Sequence, residues 1–221
     1  MKIKQIHSKQ IILSLLMAMF VVSCSDDSDT SDPNNPSVVA KDVEINPTNF
    51  PDDNFRAYLL AQDYGADGII TKKEFQKIKR IDVRNKNISS LKGIEYFVAL
   101  DTLRCLNNSL SSLDVSHNTA LTYLDCYNNS LSSLDVSNTA LTHLSCYSNQ
   151  IRGEAMDALI EGLPQTNGNI VIYDSSYEGN ICTKSQVAAI KAKGWTPYWR
   201  YNDSWARYEG SDDNLQQHYS Q

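Results

Sequence analysis

One phrase recurs along the middle of this chain, and it limits the fold more than any other feature. Leu100, Leu103, Cys105, Asn108, Leu110, Leu113 and Val115 are matched in order by Leu121, Leu124, Cys126, Asn129, Leu131, Leu134 and Val136. Leu141, Leu144, Cys146, Asn149 and Ile151 begin the phrase a third time. A degenerate earlier copy reads Ile78, Ile81, Val83, Ile88 and Leu91, so successive starts lie 22, 21 and 20 residues apart. A unit this short cannot bury its apolar side alone. Neighbouring copies must stack and share one interior, which specifies a repeat architecture. Such an architecture points toward binding and brings no catalytic group of its own.

Within each copy, the alternation Leu-x-x-Leu-x-Cys describes a short strand whose apolar residues face inward. Asn108, Asn129 and Asn149 fall where the strand turns away, and a buried amide there can satisfy backbone groups left open by the bend. The second half, Leu-x-x-Leu-Asp-Val-Ser, returns the chain along the opposite side. On these residues the segment 78–152 resembles the leucine-rich repeat family. The resemblance implies an α/β repeat solenoid: a short leucine-rich repeat stack with a helix-loop-helix cap over 49–77 and a mixed α/β cap over 153–210.

Cys105, Cys126 and Cys146 hold one equivalent position and should form a column of small apolar side chains. The alternative is a metal site, but a column matches tetrahedral ligation poorly and no closely spaced Cys or His pair accompanies it. Cys182 stands alone ahead of an expected helix and reads as structural.

Cys24 is of another kind. Lys2, Lys4 and Lys9 precede an apolar stretch from Ile11 to Val22, too short for an ordinary membrane span, and then Ser23-Cys24. Val21-Val22-Ser23-Cys24 resembles the lipobox of bacterial lipoproteins. That resemblance implies cleavage of a signal peptide at 1–23 and lipidation of Cys24, giving a membrane-anchored protein. An ordinary signal peptide would need a small residue where Val21 sits. Asp26, Asp27, Asp29 and Asp32, interleaved with Ser and Thr, then lead to Pro33 and Pro36. The stretch 24–48 is expected to be a disordered acidic tether. The acidic run also resembles the signal by which some Gram-negative bacteria place lipoproteins on the outer face of the outer membrane, with a periplasm-facing anchor as the alternative. Removing 1–23 takes away three Lys and no acid, moving the formal charge from −6 to −9. This balance excludes the basic footprint that nucleic acid requires.

Residues 50–60 read as a helix with Asp52 and Asp53 at its positive end and Phe55, Tyr58 and Leu59 on one face. Then Asp63, Asp67, Gly68, Ile69, Thr71 and Glu74 resemble an EF-hand loop, implying a candidate calcium site. Asp63, Asp67 and Glu74 would supply carboxylate oxygens, Ile69 its carbonyl, and Thr71 a further oxygen. Gly65 departs from the pattern, because the family carries Asp or Asn at that position. A metal-free helix-loop-helix cap is the competing reading.

Beyond the repeats, Glu154 to Leu163 has amphipathic helical spacing, Asn169 to Tyr173 reads as a strand, Thr183-x-x-Gln186 opens a helix through Lys193, and Trp195 to Tyr201 reads as a last strand. The ending Ala-Lys-Gly-Trp-Thr-Pro-Tyr resembles the terminal cap of bacterial leucine-rich lipoproteins. Residues 211–221 are expected to be a flexible tail.

Residues flanking the inward Leu and Cys point outward, in three columns: Arg80, Thr102, Tyr123 and His143; Asp82, Arg104, Asp125 and Ser145; Arg84, Leu106, Tyr127 and Tyr147. Tyr and Arg make rigid, hydrogen-bonding contacts at interfaces. The columns therefore describe a protein-recognition face. A rival is glycan binding by the C-terminal aromatics Tyr198, Trp199, Tyr201, Trp205 and Tyr208, and a third reading is a purely structural surface protein. The chain contains no His-Glu-x-x-His, no Gly-x-Ser-x-Gly and no phosphate-cradling glycine loop. A non-enzymatic binding protein is therefore expected.

Overall fold

The fold was obtained as a computed structural model that describes residues 41–174, 179–201 and 204–211. The chain divides into two units, 1–35 and 36–221. The first unit, with Cys24 and residues 24–35 of the expected tether, lies outside the described residues, whereas 41–48, expected as part of that tether, are ordered and carry strand β1 (Val43–Glu44). Among the described residues, no helix is long and apolar enough to cross a membrane.

The repeats become one sheet. Strands β3 (Arg80–Asp82), β4 (Thr102–Arg104), β5 (Tyr123–Asp125) and β6 (His143–Ser145) pair in parallel with Ile81, Leu103, Leu124 and Leu144 aligned. All four aligned side chains are fully buried, as are Cys105, Cys126 and Cys146 just beyond them. The cysteines are free thiols. Burial, joined by neighbouring thiols, raises Cys126 well above the ordinary thiol value, and burial with Cys182 nearby raises Cys146 to about 12. These are packing groups rather than nucleophiles.

The turn after each strand is built twice over. Asn85, Asn107, Asn128 and Ser148 take left-handed φ angles of 55°, 54°, 53° and 51°, a conformation that Asn tolerates better than most residues. The following asparagine closes the turn. Asn129 Nδ2 donates to the carbonyls of Cys105 (3.1 Å), Cys126 (3.0 Å) and Tyr127 (3.3 Å), and its Oδ1 accepts from Leu110 N–H at 3.0 Å. Asn149 repeats this with Cys126, Cys146, Tyr147 and Leu131, and Asn108 with Val83, Cys105, Leu106 and Ile88. Each amide thus ties one repeat to the one before it.

The ladder does not stop at Arg152. Helix α3 (Glu154–Gly162) replaces the return half of the third copy, and β7 (Asn169–Asp174) joins β6 in parallel, with Ile170 opposite Leu144. Asn180 supplies a further rung: its Nδ2 donates to Cys146 O (2.8 Å) and Ile172 O (3.1 Å), and its Oδ1 accepts from Ile151 N–H. Helix α4 (Lys184–Ala192) opens on the Thr183/Gln186 capping box, and Gly194 follows with a φ of 87°. Strand β8 (Thr196–Tyr201) is again parallel, but β9 (Ser204–Arg207) pairs with it antiparallel. The sheet is therefore mixed, a departure from a purely parallel repeat stack.

Ahead of the repeats, β1 (Val43–Glu44) pairs with β2 (Ile69–Ile70). Helix α1 (Asp53–Leu60) starts later than its apolar pattern suggested, because Asp52 serves as its N-cap. One Asp52 oxygen takes Asn54 and Phe55 N–H; the other takes Ser89 N–H and Oγ and Ser90 N–H. Burial alone would raise this carboxyl, but the bonds from Ser89, Phe55 and Ser90 hold it below its ordinary value. Phe50, Phe55, Leu59 and Phe75 belong to the same buried cluster as the repeat leucines.

Candidate functional site

Strand pairing places the outward residues in register: Arg80, Thr102, Tyr123 and His143 in one row, and Asp82, Arg104, Asp125 and Ser145 in another. Their exposure is graded. Arg80 and Arg84 are open, Asp82, Thr102, Arg104, Tyr123, Tyr127 and His143 are half-buried, and Leu106, Asp125, Ser145 and Tyr147 are buried. Sequence alternation alone treats all twelve as surface. The rings of this face stack from strand to strand, Tyr123 on His143 and Tyr127 on Tyr147, so they shield the residues between them.

That layer has a centre at Asp125. Tyr123 Oη donates to Asp125 Oδ2 at 2.9 Å, Arg104 Nε approaches the same oxygen at 3.7 Å, and His143 Nε2 stands 3.7 Å from Oδ1. The Arg104 guanidinium lies 5.2 Å from the Tyr123 ring centroid, and Tyr123 stacks on His143 with centroids 4.3 Å apart. Burial, followed by the Asp125 charge, raises the Tyr123 hydroxyl above its ordinary value, so it stays a donor. In the third column Tyr127 stacks on Tyr147, again at 4.3 Å. Burial and then Tyr127 raise the Tyr147 hydroxyl, while Arg200 of β8 opposes that shift by its charge and a hydrogen bond. Arg200 is a contributor that no repeat-based reading could supply, because β8 lacks the repeat phrase.

At the β3 edge, Asp82 accepts from Arg84 Nε at 2.6 Å and from Arg80 at 3.2 Å. Burial pushes the Asp82 carboxyl up, but the two arginines outweigh it and leave the value lowered. Pairs this exposed add little stability, so the arginine forks stay available to a partner. The face is thus a fixed aromatic and arginine layer with a basic margin, on a chain whose formal charge is −6.

The loop from Asp63 to Glu74 is organised around backbone bonds. Glu74 Oε2 accepts from Thr71 N–H and Thr71 Oγ1, both at 2.8 Å, closing a capping box on the short helix α2 (Lys72–Phe75). Asp67 Oδ1 accepts from Ile69 N–H, and Asp63 opens a 3-10 turn, Asp63–Gly65. Among the described residues, no three His, Cys, Asp or Glu side chains converge as a metal would require. As folded, this donor set does not fit calcium. Gly65 shows a physical reason for its departure from the EF-hand pattern: a Cβ there would lie 2.2 Å from Leu59 O and 2.9 Å from Ile45 Cδ1. A side chain there would have to displace the Leu59 backbone, so it could not complete a ligand set without a shift of the loop.

Of the C-terminal aromatics, the side chains of Tyr201 and Trp205 lie outside the described residues. Trp199 and Tyr208 line a cleft of about 510 Å³ together with Tyr173, Arg152 and Arg207, a grouping that single elements of the sequence do not announce. Tyr198 is half-buried on β8.

No known family model matches the chain. Among curated proteins it is similar to Internalin J of Listeria monocytogenes serotype 4b (strain F2365), with 38% identity over 71 residues, 32% of this chain and 8% of that protein. Among solved structures, an internalin (inlF) from Listeria monocytogenes str. 4b F2365 matches with a TM-score of 0.54 at 20% identity, covering 72% of this chain and 46% of that one. The functional domain of InlJ from Listeria monocytogenes, which includes a cysteine ladder, matches with a TM-score of 0.36 at 20% identity, covering 71% and 47%. The chain spans less than half of inlF and a small fraction of Internalin J. The inlF likeness shows the fold, a leucine-rich repeat stack.

Proposed function

We propose that this chain is a protein-recognition module that binds through the exposed strand face of its repeats. The carrying observation is the layer around Asp125: Tyr123 is hydrogen-bonded to its carboxylate and stacked on His143, and Arg104 lies over the Tyr123 ring with its Nε 3.7 Å from the same carboxylate. A layer ordered before binding loses little entropy on contact, and Tyr and Arg are the side chains that concentrate binding energy. The partner this chemistry suits is a protein surface offering carboxylate and carbonyl acceptors to Arg80, Arg84 and Arg104. In the same proposal, the segments before and after the repeats serve as caps. The protein is carried on the outer membrane by lipidated Cys24 and displayed on the cell surface, and it performs binding rather than catalysis.

The test is affinity capture from host and neighbour-cell protein extracts with the purified protein and an Arg84→Ala/Tyr127→Ala variant. The proposal expects a partner retained by the parent and lost, at least tenfold, by the variant, with unchanged circular dichroism. A partner held equally by both would contradict the assigned face. For the anchor, Cys24→Ala should release the protein from membranes; full retention would remove the lipid from the proposal.

A further inference from the structure

The cleft lies at the far end of the strand face, where Tyr173 of β7 follows Tyr147, just past β6, and Trp199 of β8 stands opposite it, and it has its own chemistry. It forms where the parallel ladder breaks step: the β7–β8 register shifts between Val171 and Tyr173, setting Tyr173 opposite Trp199. After β9 the chain brings Tyr208 onto Tyr173, with centroids 5.2 Å apart and planes 13° from parallel. Tyr208 is fixed there, since its hydroxyl donates to Cys182 O at 3.0 Å. The space is about 510 Å³, within the range of sites that hold small molecules.

Among the described residues, three charged ones line it: Arg152, Arg207 and Glu209. Lys191 Nζ sits 2.7 Å from Glu209 Oε2 and offsets that charge. Two exposed arginines therefore remain beside aromatic walls, on a chain of net negative charge.

We propose that this cleft, through Tyr173, Trp199, Tyr208, Arg152 and Arg207, binds a carboxylate-bearing saccharide. A pyranose presents C–H groups on its faces and hydroxyls around its edge. The C–H groups carry slight positive charge and settle on the negative faces of aromatic rings. A carboxylate on the sugar matches the arginine fork in shape and charge. Ser211 Oγ and the Glu209 carboxylate, both in the lining, can accept from sugar hydroxyls. A wholly apolar ligand would desolvate two arginines without return, and a simple anion would leave the rings unused.

The experiment is titration of the full chain, by calorimetry and tryptophan fluorescence, with oligosaccharides of galacturonate, of glucuronate and of sialic acid. The methyl esters of the same sugars and citrate serve as comparison ligands. At least one acidic sugar should bind saturably, its ester at least tenfold more weakly, and citrate at least tenfold more weakly. Arg207→Ala and Arg152→Ala should each weaken binding severalfold without moving the melting temperature, Arg207→Lys should restore part of the loss, and Arg84→Ala on the strand face should change nothing. The proposal is overturned if no acidic sugar binds, if ester or citrate binds equally well, if both arginine variants bind like the parent, or if Arg84→Ala abolishes binding.

Discussion

At the scale of single residues, the asparagine ladder is the strongest determinant of the fold, because each rung serves two repeats. Asn129→Ala removes donors from three carbonyls and the acceptor of Leu110 N–H, leaving several buried groups open. Each orphan costs on the order of 1–3 kcal/mol, with partial relief from water, so a loss of about 3 kcal/mol is expected in urea unfolding. Asn129→Asp should be worse, since it sets an acceptor against three acceptors. A loss under about 0.5 kcal/mol for either would contradict the ladder. Asp52 gives a pH dependence. Its carboxyl is lowered in the folded state from an ordinary 3.8, so its contribution is present above that value and is lost as pH falls through the lower folded value. Asp52→Ala should therefore destabilise the protein at neutral pH and flatten its acid transition below about pH 4. The Leu, Cys and Asn columns were legible in the sequence because repetition marks equivalent positions. Asn180 was not, because it stands eight residues past Ile172, where Asn149 stands three past Cys146.

At the scale of elements, helices α3 and α4 and strand β7 follow from local patterning: amphipathic spacing, the Thr183/Gln186 box and an apolar run. Strand β9 was not expected, since 195–201 read as the last strand; its antiparallel pairing with β8 carries no repeat signal. In the segment before the repeats, one spacing serves a capping box and a tight turn. Asp63, Asp67 and Glu74 keep EF-hand spacing, yet Glu74 spends its oxygen on Thr71, and Gly65 is required by the approach of Leu59 O. Gly65→Asp, which would complete the family pattern, should cost about 1–3 kcal/mol through overpacking and give no calcium-dependent rise in melting temperature. Glu74→Gln preserves a capping box and should be nearly neutral in stability. If calcium at a few millimolar raised the melting temperature of the parent and Glu74→Gln abolished that rise, Glu74 would have to leave Thr71 and the loop would be a metal site after all.

At the scale of the whole molecule, the repeats set out a surface while the elements beyond them add a cleft, so recognition of two chemistries can share one scaffold. The strand face was legible as three columns of side chains; its grading from open arginines to buried Tyr147 was not, since that depends on rings stacking across neighbouring strands and on Arg200 arriving from β8. The central claim is that this face, rather than the outer side of the repeats, meets a protein partner. The most direct measurement is photo-crosslinking on intact cells presented with host proteins, with a photoreactive residue at Tyr127 or, for comparison, at the exposed Ser112 on the return side. The account predicts a discrete protein adduct from position 127 that is absent from position 112. Adducts of equal yield at both positions, or an adduct at 112 alone, would contradict it.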